Sequence, residues 1–325
     1  MQVEEIRTAY CLLLTAYWQL VTGHCFRMTR IIGLKVDVDT CEGMKQGVPR
    51  LAALFRKHGV RASFFVPMGK DHTGWTVKRV FTKRGFLSKA SRVGVIDTYG
   101  VKTLLYGLLL PGPNIALKNA GLLRGLADEG HEVGIHGLDH VYWHDHIRAL
   151  NHERTRKILA EAASVYKGVM GSDPRSFAAP GWVINEHALA WFEEKGFIYT
   201  SDVRGTSIFL PRLGRTTFKV PQVPTTLPTL DEAVGIKGND QETLTRFFVD
   251  SLTDGINILT VHSELEGKNW TGFLESFIRE TKARGFTYSL LVEIALEVQA
   301  LGPLPVHEIG FGFVEGRAGE VAIQK

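Results

Sequence analysis

Short runs of β-branched and aromatic residues alternate with amphipathic stretches along most of the chain. Ile31-Ile-Gly-Leu-Lys-Val-Asp-Val38 is apolar and β-branched, the pattern of a buried strand. Between Pro49 and His58, Leu51, Leu54 and Phe55 fall on one helical side, and Gly59 is a stop signal. Ala62 to Val66 predicts a second strand. Leu122 to Glu129 predicts a helix stopped by Gly130, and Glu132 to Ile135 a strand. A long helix follows at Glu153 to Tyr166, then a short strand at Ser176 to Ala179. Glu186 to Glu194 reads as a helix closed by Gly196, Ile198 to Thr200 as a strand, and Val220 to Val223 as an extended piece. A helix at Glu242 to Leu252 precedes a strand at Ile256 to Val261. A helix at Trp270 to Ala283, a strand near Phe286 to Tyr288 and a helix at Leu290 to Gln299 complete the series. Such alternation predicts βαβ units and a mostly parallel sheet. The tail after Pro303 is Gly-rich, and its pattern assigns no element.

One segment breaks this rhythm. Lys70 to Arg92 carries Lys70, Lys78, Arg79, Lys83, Arg84, Lys89 and Arg92 against Asp71 alone, interleaved with Trp75, Val77, Val80, Phe81, Phe86 and Leu87. Leu108-Leu-Leu110 lies further on. The ordinary reading is a solvated helix packed on the core. The scarcity of acids favours an insertion at about 70–118 that docks on an anionic membrane surface, where each cation contributes about 1 kcal/mol.

Composition narrows the class. With 325 residues, 44% hydrophobic and 22% charged, the chain can bury a large core and is not disordered. A net charge of +4 is too mild to single out a partner, and no nucleic-acid partner is expected. Cys11, Cys25 and Cys41 form neither a disulfide framework nor a CxxC site, which fits a reducing compartment. From Thr8 to Phe26 no residue is charged. A short membrane anchor is one reading, with Arg27, Arg30 and Lys35 placing the rest of the chain in the cytoplasm. Glu4 and Glu5 argue against a secretory signal. The reading favoured is that Met28 is the true start, because a core strand begins at Ile31.

The candidate chemistry falls just after predicted strands, where α/β barrels carry their catalytic residues. Asp37 and Asp39 end the first strand on one face. His136 and His140 stand at i and i+4, which on a helical turn aims both imidazoles at one ion. An HxxxH pair alone is a weak signal. His144 and His146 leave open which imidazoles bind, and His131 is expected to face elsewhere. Two imidazoles and Asp39 leave positions for water and substrate on a metal ion, which lowers the pKa of water and polarises a carbonyl. Asp37 would then be the general base, although a lone strand-end Asp more often caps a turn. His262 ends a buried strand, where a lone His is more often structural. Beside the other four residues it becomes the general acid for a leaving amine, because imidazole titrates near neutral pH.

As an ordered set, Asp37-Val-Asp39, His136-Gly-Leu-Asp-His140, Ala178-Ala-Pro-Gly-Trp182 and Leu259-Thr-Val-His262 resemble the motifs of the polysaccharide deacetylase (NodB-homology) family. The resemblance covers about residues 30–290. It implies an α/β fold, a distorted (β/α) barrel of the NodB-homology type, here with an inserted basic amphipathic helical segment. It also implies one divalent metal ion, usually zinc, sometimes cobalt or manganese. By the same resemblance Asp39, His136 and His140 are ligands, Asp37 the base, His262 the acid, and Pro180, Gly181 and Trp182 border the substrate. Domain expectations are an extension at 1–27, a catalytic barrel at 28–302 and a tail at 303–325.

Two departures matter. The family's third motif usually carries an arginine that orients the base, and Ala178 stands there; Arg204 is expected to replace it. The acids of the first motif are separated by one residue instead of being adjacent. With Ser201-Asp-Val-Arg-Gly205, Val223 to Leu230 and His262-Ser-Glu-Leu-Glu-Gly267, these departures resemble one bacterial branch. That branch deformylates undecaprenyl-phosphate-linked 4-deoxy-4-formamido-L-arabinose during lipid A modification, which confers polymyxin resistance. The branch implies a peripheral enzyme on the cytoplasmic face of the inner membrane. Alternatives are a peptidoglycan or other glycan deacetylase, or a non-catalytic glycan- or lipid-binding module.

Overall fold

A computed structural model describes residues 30–78 and 101–325. The expectations for residues 1–27, and for the centre of the basic segment, lie outside the described residues. The strands β1 (Ile31–Asp37), β2 (Ser63–Val66), β3 (Glu132–Ile135), β4 (Ser176–Phe177), β5 (Tyr199–Thr200), β8 (Ile256–His262) and β9 (Thr287–Tyr288) form one sheet. Its order is β5-β4-β3-β2-β1-β8, with β9 also on β1, and every pairing is parallel. The parallel sheet is what alternation in the sequence predicts, and its half-barrel form is what the family resemblance implies.

The helices between strands are capped by their own sequence. In α1 (Val48–His58), Pro49 lies in the first turn and Gly59 closes the end at φ 58°. One π-helical turn, Gly43–Gly47, precedes it. A Cβ on Gly47 would lie 1.9 Å from the Ser263 carbonyl oxygen, so glycine lets this turn touch the segment after β8. Next come α2 (Val101–Leu105), α3 (Ile115–Lys118), α4 (Ala120–Asp128) and α5 (His140–His146). The N-cap Asn151 of α6 (His152–Met170) accepts from Arg154 N, and Gly171 ends that helix. Asn185 caps α7 (Glu186–Glu194) in the same way. After α8 (Leu230–Ala233), Asp240 caps α9 (Gln241–Asp250). The series ends with α10 (Thr271–Ala283) and α11 (Leu291–Ala300).

Period-2 alternation sorts β1 into two faces. Ile32, Leu34 and Val36 join the larger core with Leu51 and Phe55 of α1 and Phe273 and Phe277 of α10. Gly33, Lys35 and Asp37 share the other face. A Cβ on Gly33 would meet Ile258, Leu291 and Ile294, members of a second, inner cluster with Phe65, Ala178 and Tyr199. The inner face therefore runs from an apolar floor up to the two aspartates.

The stretch after Pro303 is structured. β10 (Val306–Phe313) and β11 (Glu320–Gln324) form an antiparallel pair, and β10 runs parallel to β6 (Leu210–Leu213), which pairs with β7 (Thr216–Thr217). Arg204 N donates to Ala322 O and Gln324 N to Arg204 O, tying this sheet to the segment after β5. At the basic segment, the described flanks are stapled together. Trp75 Nε1 donates to Gly107 O at 2.8 Å, Gly74 N donates to Tyr106 O, and His72 stacks on Trp75. Among the described residues no helix is long and apolar enough to cross a membrane.

Candidate active site

The parallel register of β1 and β8 puts Asp37 opposite His262. Asp39 follows two residues later, where the chain leaves the sheet. Glu264, just past β8, holds that exit: its Oε1 accepts from Asp39 N (3.1 Å), Thr40 N (2.9 Å) and Thr40 Oγ1 (2.8 Å). Burial, with the charge of Asp39 nearby, pushes the Glu264 carboxyl up to about 8. Glu266 is likewise pushed up to about 8 by burial while its Oε2 accepts from His262 N at 2.9 Å. Both shifts favour the protonated form of the two carboxyls in the loop under the site.

His136 and His140 converge by a route other than the one their spacing predicts. His136 is not on a helix. It extends β3, its N–H donating to Val66 O at 2.9 Å. His140 opens α5, whose N-cap Asp139 accepts from Tyr142 N. A turn through Gly137 at φ 78° brings the ring centroids to 5.3 Å. The Nδ1 of His136 donates to Ala178 O at 2.8 Å, which leaves Nε2 bare. That Nε2 lies 3.5 Å from Asp39 Oδ1, and His140 Nε2 lies 3.3 Å from the same oxygen. One ligand atom from each of Asp39, His136 and His140 lies within 4.8 Å of the others, the one such cluster among the described residues. Asp39 Oδ1 is buried without a hydrogen-bond donor. Burial alone would raise the Asp39 carboxyl, yet His140, His136 and His262 hold it well below the usual range. Two imidazole nitrogens and one bare carboxylate oxygen at this spacing suit a small divalent cation.

The other imidazoles are used elsewhere. His144 packs over Gly181, where a Cβ would lie 1.9 Å from its Cδ2. His146 packs on Tyr142, and His131 accepts from Ala62 N against Phe55 and Phe64. His262 Nδ1 faces Asp231 Oδ1 at 3.8 Å, too long for a hydrogen bond but close enough for the carboxylate to orient the ring. The sequence reading missed Asp231, since nothing in Thr229-Leu-Asp-Glu232 marks it and only the closed fold brings α8 to β8.

Arg204 is not the partner of Asp37. Its guanidinium binds both oxygens of Glu232, at 2.7 and 2.9 Å, and donates to Leu227 O. The hydrogen bonds from Ala322 and to Gln324 fix its backbone, so the side chain is committed to the α8 region. The cation on Asp37 is Lys35, whose Nζ lies 3.1 Å from Asp37 Oδ2. Trp182 also departs from expectation. It is 1% exposed, adopts φ 52°, and donates from Nε1 to Thr225 Oγ1 at 3.0 Å. Its ring carries Arg317 at 4.3 Å, Lys35 at 4.9 Å and Arg204 at 5.1 Å. The indole is thus a buried seat for three cations, and Pro180 is buried beside it. Of the three residues expected to border substrate, Gly181 alone is partly exposed.

Comparison with known proteins fits this geometry. The family profile described as polysaccharide deacetylase matches residues 30–199. The chain belongs to the polysaccharide deacetylase family. It is 32% identical over 294 residues to the protein named probable 4-deoxy-4-formamido-L-arabinose-phosphoundecaprenol deformylase ArnD of Shewanella sediminis, covering 90% of this chain and 94% of that one. A protein of the same name from Wigglesworthia glossinidia brevipalpis is 29% identical, covering 87% and 98%. Among solved structures, Puue allantoinase superposes with a TM-score of 0.58 at 15% identity, covering 86% of this chain and 94% of that one. A candidate polysaccharide deacetylase from Mycobacterium smegmatis gives 0.57 at 20% identity, covering 85% and 92%. These two likenesses show the shared fold. The family is named for hydrolytic deacetylation, and the two relatives are named as deformylases.

Proposed function

We propose that the protein is a metal-dependent deformylase that converts undecaprenyl-phosphate-linked 4-deoxy-4-formamido-L-arabinose to the free amine and formate. The observation that carries this reading is the convergence of Asp39, His136 and His140, with Asp37 and His262 as register partners beside them. The similarity to two proteins named as deformylases of that lipid-linked sugar supplies the substrate. Asp39, His136 and His140 would hold one divalent ion, with zinc, cobalt and manganese as the candidates. When bound, the ion supplies Lewis-acid polarisation of the formamide and a more acidic water. Asp37 Oδ1, buried without a partner, takes a proton from the attacking water. Oxygen bonds to the formyl carbon, the carbon–nitrogen bond breaks, and His262 protonates the departing sugar amine.

Docking on the cytoplasmic face of the bacterial inner membrane is part of the same proposal. It is supported by the basic composition of the segment and by Leu108, Leu109 and Leu110, exposed by 47, 78 and 38% at its described edge. Scattered single leucines on a surface are ordinary; three in succession beside a cationic stretch suit a headgroup boundary.

Asp37→Asn tests the base directly. Turnover should fall by about 100-fold or more while metal content stays near one ion per chain. Parent-like formate release from that variant would remove Asp37 from the mechanism.

A further inference from the structure

Asp37 has two oxygens in different circumstances. Oδ2 lies 3.1 Å from Lys35 Nζ and 4.0 Å from His136 Nε2, while Oδ1 is buried and bonded to nothing. Lys35 is itself wholly buried, on the inner face of β1 two residues before the aspartate. A buried ammonium costs several kcal/mol in lost hydration, so an apolar residue would serve the strand better if packing were its whole role. The surroundings make room for the cation. Its register partners are Ser63 on β2 and Thr260 on β8, both small. The Thr260 hydroxyl is engaged with Thr225 Oγ1 at 2.8 Å, and Nζ has no hydrogen-bond partner among the described residues, so it meets Asp37 through the ion pair alone. Burial lowers the Lys35 pKa, and the carboxylates of Asp37 first and Asp202 next oppose that shift. The Trp182 ring sits 4.9 Å from Nζ, a cation–π seat that fixes the end of a flexible side chain. Arg204 and Arg317 lie on the same ring, but both guanidiniums face Glu232.

We propose that Lys35 is a positioning residue for the hydrolysis: its ammonium pins Asp37 Oδ2 and thereby aims Oδ1 at the reacting water. The inference rests on the reading of Asp37 as the base. A point charge from the same strand then does what a fork of donors from another strand could also do, and Ala178, just past β4, contributes no charge.

The experiment compares Lys35→Met and Lys35→Arg in the metal-loaded full chain, with Asp37→Asn as control. Lys35→Met removes the charge at similar length, and kcat should drop about 100-fold with KM and metal stoichiometry unchanged. Lys35→Arg keeps the cation and should recover most of that loss. If Lys35→Met fails to fold, Lys35→Gln replaces it in the same comparison. An uncharged variant within about threefold of the parent kcat would overturn the inference, as would an arginine variant as slow as the uncharged one despite equal thermal stability. An active Asp37→Asn sinks the base reading itself, whereas an inactive Asp37→Asn beside a fully active Lys35→Met sinks only the role of Lys35.

Discussion

At the scale of single residues, buried charge dominates the site. Asp39 is held ionised by the imidazoles around it, whereas Glu264 and Glu266 are pushed up to about 8 mainly by burial. A carboxyl with a raised folded pKa binds its proton in the folded state after the unfolded chain has released it. Its contribution is therefore full below the unfolded value and is lost as pH rises toward about 8. Glu266→Gln, which keeps the acceptor for His262 N, should flatten the fall in stability between about pH 5 and pH 8. Denaturant unfolding at a series of pH values reads this, and parallel curves for parent and variant would contradict it. That Asp39, His136 and His140 lie together, with Asp37 and His262 as register partners, was legible from spacing and order, because strand ends and motif order survive without tertiary detail. Their partners were not. Lys35 stands inside the motif that drew attention to Asp37, yet its role depends on which strand neighbours are small. Asp231 depends on a helix that closes only in the fold.

At the scale of elements, most strands and helices follow from periodicity and from Gly or Asn at their ends. The failures have physical causes. The i, i+4 spacing of His136 and His140 suggested a helix, but the first imidazole directly follows β3 and the second stands at the start of α5. Gly137 makes the turn between them. The C-terminal strands escaped notice because Gly310 and Gly312 dilute the β pattern and the partner strand β6 is remote in sequence. That remote pairing explains the fate of Arg204. Its backbone is tied to β11 and its guanidinium to Glu232, a buried ion pair with side chains 10% and 1% exposed. Arg204→Ala leaves Glu232 buried with Arg317, at 3.7 Å, as its remaining cation among the described residues, beside the Thr229 N–H that donates to its Oε2. The expected cost is about 3–5 kcal/mol of stability, at the lower end because Arg317 remains. Equilibrium unfolding in urea measures it; a loss below about 1 kcal/mol would show that the pair contributes little.

At the scale of the whole molecule, the parallel sheet puts catalytic candidates from β1, β3 and β8 at one end and an apolar floor beneath them. The same end carries the described flanks of the basic segment, since His72 pairs with Asp139, the N-cap of the helix that begins at His140. On the proposed function, a membrane-docking segment joined to the helix that begins at His140 would present the site to a lipid-linked sugar. Family and fold were readable from the ordered motifs. Acyl specificity was not, because formyl and acetyl differ by one methyl, worth about 1–3 kcal/mol in a pocket. The most direct test is therefore product release from undecaprenyl-phosphate-linked formamido- and acetamido-arabinose, with metal-loaded and chelator-stripped protein. The account predicts formate from the metal-loaded protein, little acetate, and loss of activity on chelation that added divalent metal restores. Acetate in preference to formate, or formate release that chelation does not diminish, would contradict it.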